Sequence, residues 1–124
     1  MSQKTVLSVG QCGPDHASLS GFLKQFNVRI ISADLPVDTL EILGREQVDL
    51  VLINRKLDRD YSDGMNILRL IKEDDQISQV PVMIVSNFED AQQASVNAGG
   101  LYGIGKSELS TKAARDRVAA VLEA

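Results

Sequence analysis

This 124-residue chain has a single cysteine, fewer basic than acidic residues and no long apolar run. With Cys12 as its single cysteine it cannot form an intramolecular disulfide, which fits a reducing, cytoplasmic compartment. Lysine and arginine number 13 against 17 acidic residues, whereas nucleic-acid-binding domains usually carry a basic excess. No apolar run approaches the ~20 residues of a membrane-spanning helix. We therefore expect a cytoplasmic protein that contacts neither nucleic acid nor membrane directly.

What the sequence does contain is an ordinary globular balance, with 44% hydrophobic and 24% charged residues. Its length is close to that of one domain. There is no repeat, linker or low-complexity segment that would divide it. These observations predict a single domain over residues 1–124.

The stretch that organises the chain is Val48–Asn54, in which large aliphatic residues follow one another without alternation. A continuous run of this kind is typical of a strand that is buried on both faces of a parallel sheet. It ends at Asn54, after which the sequence turns abruptly polar. The carboxyl end of a central parallel strand is where open α/β domains place their chemistry. Asn54 is therefore the first candidate site residue.

Strands and helices are predicted to alternate along the whole chain. The predicted strands are Thr5–Val9, Val28–Ser32, Val48–Asn54, Val82–Ser86 and Leu101–Ile104. The predicted helices begin near Asp15, Asp38, Met65, Glu89 and Ser110, with Asp15, Asp38 and Ser110 as helix caps and Pro36 in a loop. Strict alternation predicts right-handed βαβ units and a parallel sheet covered on both faces.

Five short motifs, in order and at matching spacing, resemble a response-regulator receiver domain of two-component signalling. They are the strand ending at Asn54, Asp63-Gly64 before an apolar helix, the strand from Pro81 to Ser86, Ala98-Gly99-Gly100, and Gly105-Lys106. The resemblance covers essentially the whole chain. It implies the flavodoxin-like fold, an α/β three-layer sandwich with a parallel five-stranded sheet in the order 2-1-3-4-5.

The resemblance also implies a phosphorylation site, from which this sequence departs. The family holds Mg²⁺ with an acid pair and an acceptor aspartate. The equivalent positions here are Gly10, Gln11 and Asn54, none of which is a carboxylate. Only the hydroxyl at Ser86 and the lysine at Lys106 are retained. We expect a pseudo-receiver that is not an enzyme, has lost Mg²⁺ binding and is not phosphorylated.

Two departures concern the family's switch. The position three residues before the lysine, an aromatic residue in the family, is Gly103, with Tyr102 beside it. The residue after the lysine, usually a proline in a cis bond, is Ser107. A cis bond before a residue other than proline costs about 3 kcal/mol. We therefore expect a trans bond or a reshaped loop at this point.

Alternatives remain open at the pocket. Asp58, Asp60 and Asp63 crowd the loop after Asn54 and could replace the missing acids, with Asp58 as an unusual phosphoacceptor; basic neighbours favour a solvated loop instead. A second alternative is a sensor that holds an anion or metabolite near Gly10, Asn54 and Lys106.

The plainer interpretation of the retained pair is inheritance, with Lys106 hydrogen-bonded to Asn54 or to a backbone carbonyl. Cys12 lies near the expected start of the first helix, where a redox role is possible, but the plainer interpretation is a small, partly buried residue. His16 has no second histidine to pair with and no nearby cysteine other than Cys12, so a metal site is unsupported and a solvated first-turn residue is the plainer interpretation.

Function is expected on the surface that the fourth helix, fifth strand and fifth helix form, which the family uses for contacts. The residues expected there are Gln92, Tyr102, Lys112, Arg115 and Arg117. This surface predicts a protein partner or a homodimer, without any cofactor.

Overall fold

The computed structural model describes residues 3–124, so the first two residues of the predicted domain lie outside it. Five strands alternate with five α-helices, as the sequence predicts. The strands are β1 (Lys4–Val9), β2 (Val28–Ala33), β3 (Leu50–Asn54), β4 (Val82–Val85) and β5 (Leu101–Ile104). The helices are α1 (Gly13–Leu23), α2 (Pro36–Arg45), α3 (Met65–Glu73), α4 (Glu89–Asn97) and α5 (Lys112–Leu122).

All strand pairs are parallel, and the strand order is β2-β1-β3-β4-β5. The predicted flavodoxin-like arrangement is therefore confirmed. β3 lies at the centre, paired to β1 on one side and to β4 on the other. The ladder between β4 and β5 shifts register between Met83 and Val85.

The central strand separates two apolar clusters, which explains its uninterrupted aliphatic sequence. Val51 and Ile53 pack with buried residues of α2 and α3. Leu50 and Leu52 point to the opposite face, where they pack with buried residues of α1 and α5. Because both faces are covered, every residue of β3 is buried, and a polar residue in this strand has to find its hydrogen bonds within the protein.

The helix starts differ from the predictions at three places. Cys12, rather than Asp15, is the N-cap of α1, and Asp15 lies in the first turn. Thr111, rather than Ser110, caps α5, because its Oγ1 accepts a hydrogen bond from the backbone N–H of Ala114 at 3.2 Å.

At α2, Pro36 is the first helical residue and not part of the loop. Its fixed φ suits this position, so Asp38 falls in the first turn instead of at the cap. From there the Asp38 carboxylate accepts hydrogen bonds from the backbone N–H groups of Asp34 and Leu35, both at 2.8 Å. It thus satisfies the N–H of the N-cap residue Leu35 and that of the residue before it.

Within residues 3–124, no helix has both the length and the apolar character needed to cross a membrane.

Candidate functional site

A pocket of about 380 Å³ opens at the carboxyl ends of β3 and β4. The structure brings together there the three predicted residues Asn54, Ser86 and Lys106. The complete lining is Cys12, Asp15, Asn54, Arg55, Lys56, Leu57, Asp58, Tyr61, Val85, Ser86, Asn87, Phe88 and Lys106.

Asn54 is the last residue of β3 and only 9% exposed. Its Nδ2 donates to the backbone carbonyls of Gly10 at 3.3 Å and of Lys56 at 2.7 Å. Both partners only accept hydrogen bonds, so the nitrogen must face them and the orientation of the carboxamide is fixed. The side chain therefore ties β1 to the loop after β3.

Leu57 fills the space beside Gly10, the position of the first missing acid. Gly10 has φ of +74°, and a Cβ added there would lie 2.4 Å from Leu57 Cδ2. Leu57 is 0% exposed and belongs to the core on the α2–α3 side. The loop is also bonded to this position, because the N–H of Asp58 donates to the Gly10 carbonyl at 3.0 Å. Any side chain at position 10 would have to displace the buried side chain of Leu57.

Gln11 occupies the second position of the missing acid pair, and its side chain folds back towards β1. Its Nε2 donates to the carbonyl of Val9 at 3.3 Å. Its Oε1 is buried and has no hydrogen-bond partner among residues 3–124. Gln11 therefore adds no oxygen to the pocket lining.

Lys106 forms an ion pair with Asp15, whose Oδ2 lies 2.5 Å from the lysine Nζ. The pair joins α1 to the turn after β5, and both side chains are only partly exposed. The hydrogen bond from Lys106 holds the pKa of Asp15 below its ordinary value of 3.8. The expectation that Lys106 bonds Asn54 or a backbone carbonyl was therefore wrong, and Asp15 is a pocket residue that sequence reasoning missed.

Ser86 is buried where β4 leads into α4, and its Oγ accepts a hydrogen bond from the N–H of Phe88 at 3.1 Å. Next to it, Asn87 Oδ1 accepts hydrogen bonds from both the N–H and the hydroxyl of Ser107, each at 3.0 Å. The peptide bond before Ser107 is trans. These contacts fix the loop after Lys106 against the end of β4.

The three aspartates after Asn54 are not gathered into one site. Asp60 caps its own turn by accepting from the N–H and hydroxyl of Ser62, while Asp63 pairs with Arg55 at 3.0 Å. Asp58 lines the pocket with an exposed side chain.

The donor set of the pocket does not fit Mg²⁺, the ion that the fold family implies. This ion prefers several anionic oxygens in octahedral positions. Of the two carboxylates in the lining, Asp15 is already paired with Lys106 and Asp58 is exposed. Within the described part of the chain, no three acidic, histidine or cysteine residues are grouped so that they could hold a metal.

Cys12 and His16 both lie at the start of α1. Cys12 is partly buried in the pocket lining, and its carbonyl accepts from the N–H of His16 at 2.8 Å. The His16 ring lies 3.4 Å from the hydroxyl of Ser20, one helical turn further on. These contacts are those of a helix start.

Gln92 is not on the predicted interaction face but beneath it, at 3% exposure. Its Nε2 donates to the carbonyls of Ile84 and Ser86, and its Oε1 accepts from the N–H of Gly103 at 2.7 Å. A buried amide with three partners is a structural connection of α4 to β4 and β5. Gly103 is required here, because a Cβ at this residue would lie 2.2 Å from the carbonyl oxygen of Ile84.

Tyr102 and Arg117 form a connected group on this face. The Tyr102 hydroxyl donates to Glu89, which raises the pKa of the tyrosine. The Arg117 guanidinium lies over the Tyr102 ring, 5.1 Å from its centroid, and donates to Glu108 at 2.6 Å. Arg117 also donates to the carbonyl of Gly103 at 2.7 Å, so most of its capacity is used inside the domain.

Lys112 and Arg115 are exposed residues of α5. Lys112 pairs with Asp116 at 2.7 Å, and Arg115 lies 3.7 Å from the same carboxylate. Exposed pairs of this kind add little to stability. These two cations are therefore available to a partner at small cost.

Comparison with known proteins places the chain in a family. The family model described as "Response regulator receiver domain" matches residues 16–112. A two-component response regulator of rice, Oryza sativa subsp. japonica, is 29% identical over 83 residues, which are 66% of this chain and 60% of the relative. The chain thus spans about 60% of the length of that curated relative.

Solved structures agree in fold. A protein of the response-regulator type from Chloroflexus aurantiacus J-10-fl has a TM-score of 0.80 at 17% identity, covering 99% of this chain and 100% of that one. The receiver domain of a sensor histidine kinase from Pseudomonas aeruginosa PAO1, with a magnesium ion in its active site cleft, has a TM-score of 0.72 at 15% identity and the same coverage. The chain belongs to the response regulator receiver domains of two-component signalling.

Proposed function

We propose that this receiver domain is not phosphorylated, does not use Mg²⁺ and acts as a constitutive protein-interaction module. The proposal rests on Asn54, which places a carboxamide at the position equivalent to the acceptor aspartate. A carboxamide is a poor nucleophile towards phosphorus, and its nitrogen is held by the carbonyls of Gly10 and Lys56. The position equivalent to the acceptor thus serves as a structural connection.

The surroundings of Asn54 support the same proposal. The magnesium-bound receiver domain of P. aeruginosa is a fold relative, and the pocket here offers no comparable donor set. Lys106, which would neutralise a phosphoryl group in a conventional member, is already paired with Asp15. Phosphorylation would have to break this pair without gaining an anionic acceptor or a metal.

The interaction surface that we propose is the face formed by α4, β5 and α5, with a protein partner or a second copy of the chain. Its exposed charges are Lys112 and Arg115, and its exposed apolar groups include Val96 and Leu101. Tyr102 lies between α4 and α5, where it is held by Glu89 and Arg117. Because no phosphoryl group switches the domain, binding is constitutive.

The test is incubation with acetyl phosphate and Mg²⁺ followed by intact mass measurement. A conventional receiver domain treated in parallel shows that the reagent is active. We expect this domain to keep its mass while the reference gains one phosphoryl group. A phosphoryl group found on Asp58 would overturn the proposal in favour of a phosphorelay receiver with an unusual acceptor.

A further inference from the structure

The two outer strands of the sheet differ in how well their free edges are protected. At β5 the edge is short and irregular, because the ladder to β4 shifts register between Met83 and Val85. Side chains also occupy both backbone groups of Gly103 in this strand. Its N–H donates to Gln92 Oε1 and its carbonyl accepts from Arg117, each at 2.7 Å. An edge of this kind offers little to an approaching strand.

β2 forms the other edge, and its outer row of backbone groups is open. Its six residues pair with β1 in an unbroken parallel register. The Ala33 carbonyl accepts from the N–H of Gly10, so the backbone groups of Ala33 face β1. Since backbone groups alternate in direction along a strand, those of Ile30 and Ser32 point away from the sheet. No hydrogen bond within residues 3–124 reaches these outward groups.

The sequence of β2 does little to protect this edge. Exposed edges in natural proteins are commonly blocked by proline, by a bulge or by charged side chains. Val28–Ala33 has neither a proline nor a bulge, and its only charged residue is Arg29. Ile30 and Ile31 are half-buried, and Ser32 is exposed. A further strand paired here would satisfy the open groups and cover more of the β-branched side chains, which suit strand pairing.

A second copy of the chain fits this edge in antiparallel orientation. With a two-fold axis at Ile31, Ile30 of each copy lies opposite Ser32 of the other. In an antiparallel pair such residues exchange both of their backbone hydrogen bonds, so the open groups of the two edges satisfy one another. The same surface is used twice, as a two-fold symmetric contact requires.

The charges at the two ends of β2 favour the same arrangement. In this register Arg29 of each copy lies opposite Ala33 of the other, next to its Asp34. The side chains of Arg29 and Asp34 are each 52% exposed, so each can take a second partner besides its surface partner within the domain. A parallel pairing of two copies would instead bring like charges together.

From these features we infer that two copies of this chain pair β2 with β2 in antiparallel orientation and join their sheets into one continuous sheet. The inference goes beyond the proposed interaction face, because β2 and β5 are opposite edges of the sheet. The contact consists of a few backbone hydrogen bonds with modest side-chain burial, which makes a weak dimer. We expect a Kd on the order of 100 μM.

The experiment is amide hydrogen–deuterium exchange of the full chain, followed by NMR at several protein concentrations. It is done with Lys112→Glu and Arg115→Glu combined, so that the contact proposed for α4, β5 and α5 is weakened and the β2 contact is measured by itself. Sedimentation of the same samples reports the fraction of dimer.

The expected result alternates along the strand. The outward amides of Ile30 and Ser32 should exchange fast in dilute protein and several-fold more slowly at millimolar concentration, where the dimer forms. The amides of Arg29 and Ile31 face β1 and are internal controls, because their protection should not depend on concentration.

Variants at Ser32 test whether the outward backbone makes the contact. Ser32→Pro removes an N–H that has no partner in the monomer, a position at which an edge strand tolerates proline. It should abolish the concentration-dependent protection of Ile30, whereas Ser32→Ala keeps the N–H and should retain that protection. Ser32→Lys also keeps the N–H but adds a charge to the edge, so it should weaken the dimer even if the proline variant does not fold.

Exchange at Ile30 and Ser32 that does not depend on concentration would overturn the inference. So would equal association of Ser32→Ala and Ser32→Lys, or slowed exchange confined to β5, which would assign the self-contact to the opposite edge. None of these outcomes bears on the acetyl phosphate result, so the two proposals fail separately.

Discussion

The pocket at Asn54 and the face formed by α4, β5 and α5 use polar residues in opposite ways. In the pocket, these polar groups bond to other parts of the domain: Asn54 donates to two backbone carbonyls, and Lys106 forms an ion pair with Asp15. On the face, buried Gln92 provides the connection, while Lys112 and Arg115 remain exposed. The difference indicates at which residues the stability of the fold depends on a polar side chain and at which it does not.

The largest effect is expected from Gly10→Asp in the pocket. The substitution requires a left-handed φ and forces a Cβ against Leu57, so the free energy of unfolding should fall by about 2–4 kcal/mol. Urea denaturation measures it. Gly21→Asp is the control, since a Cβ there meets nothing within 4 Å, and it should cost less than about 1 kcal/mol. Equal losses in the two variants would mean that Leu57 does not close the position.

The second-largest effect is expected from Gln92→Ala, which removes the side chain that connects α4 to β4 and β5. The N–H of Gly103 and two carbonyls lose their Gln92 partner, so the free energy of unfolding should fall by about 2–3 kcal/mol. Its neighbour Gln93 bonds only Glu89 at the surface, so Gln93→Ala should cost under about 0.5 kcal/mol. Urea midpoints that match for the two variants would contradict the buried role of Gln92.

A smaller effect is expected from Asp15→Asn, which removes the charge that Lys106 meets. Both side chains are partly exposed, so the loss near pH 7 should stay under about 1 kcal/mol. The pKa of Asp15 is lowered by folding, so its contribution is complete above 3.8 and lost as the pH falls through the folded value. The difference between wild type and variant should therefore shrink as the pH falls below 3.8. A difference that stays constant as the pH is lowered would show that the ion pair is not its source.

The smallest effect on stability, but a large one on binding, is expected from Lys112→Glu combined with Arg115→Glu. The free energy of unfolding should change by about 0.5 kcal/mol or less, because both side chains are exposed. Partner capture and self-association, followed by pull-down and sedimentation, should fall, and wild-type binding should weaken with added salt.

Its control is Lys24→Glu combined with Arg69→Glu, which makes the same change in net charge on exposed residues of other elements. If the control abolishes the same interactions, net charge rather than the face is responsible.

The fold could be predicted because its signals are local. The aliphatic run of β3, the spacing of Met65, Leu68 and Ile71, and the Gly99-Gly100 stop each depend on neighbours in sequence. The helix starts were harder to place. Cys12 and Leu35 each precede a first turn containing proline, and neither caps its helix with a hydrogen bond from its own side chain, so the usual capping residue types do not mark them in the sequence.

The pocket could be predicted only in part. Asn54, Ser86 and Lys106 mark strand ends and are brought together, but Asp15 reaches Lys106 across 91 positions of sequence. Gln92 is polar and therefore expected at the surface, yet three backbone partners hold it inside. Leu57 offered a signal, as one aliphatic residue in the polar stretch Arg55–Asp60, because such a residue in a loop is often an anchor to the core.

Leu57 also constrains the evolutionary history that remains open to this pocket. Returning an acid to position 10 places its first carbon 2.4 Å from Leu57 Cδ2, so that substitution is penalised while Leu57 stays. Replacing Leu57 first with a smaller residue leaves a cavity in the core, which also lowers the free energy of unfolding. Either substitution made alone therefore lowers stability. An acid at position 10 requires a coordinated change at Leu57, so the two positions have to change together.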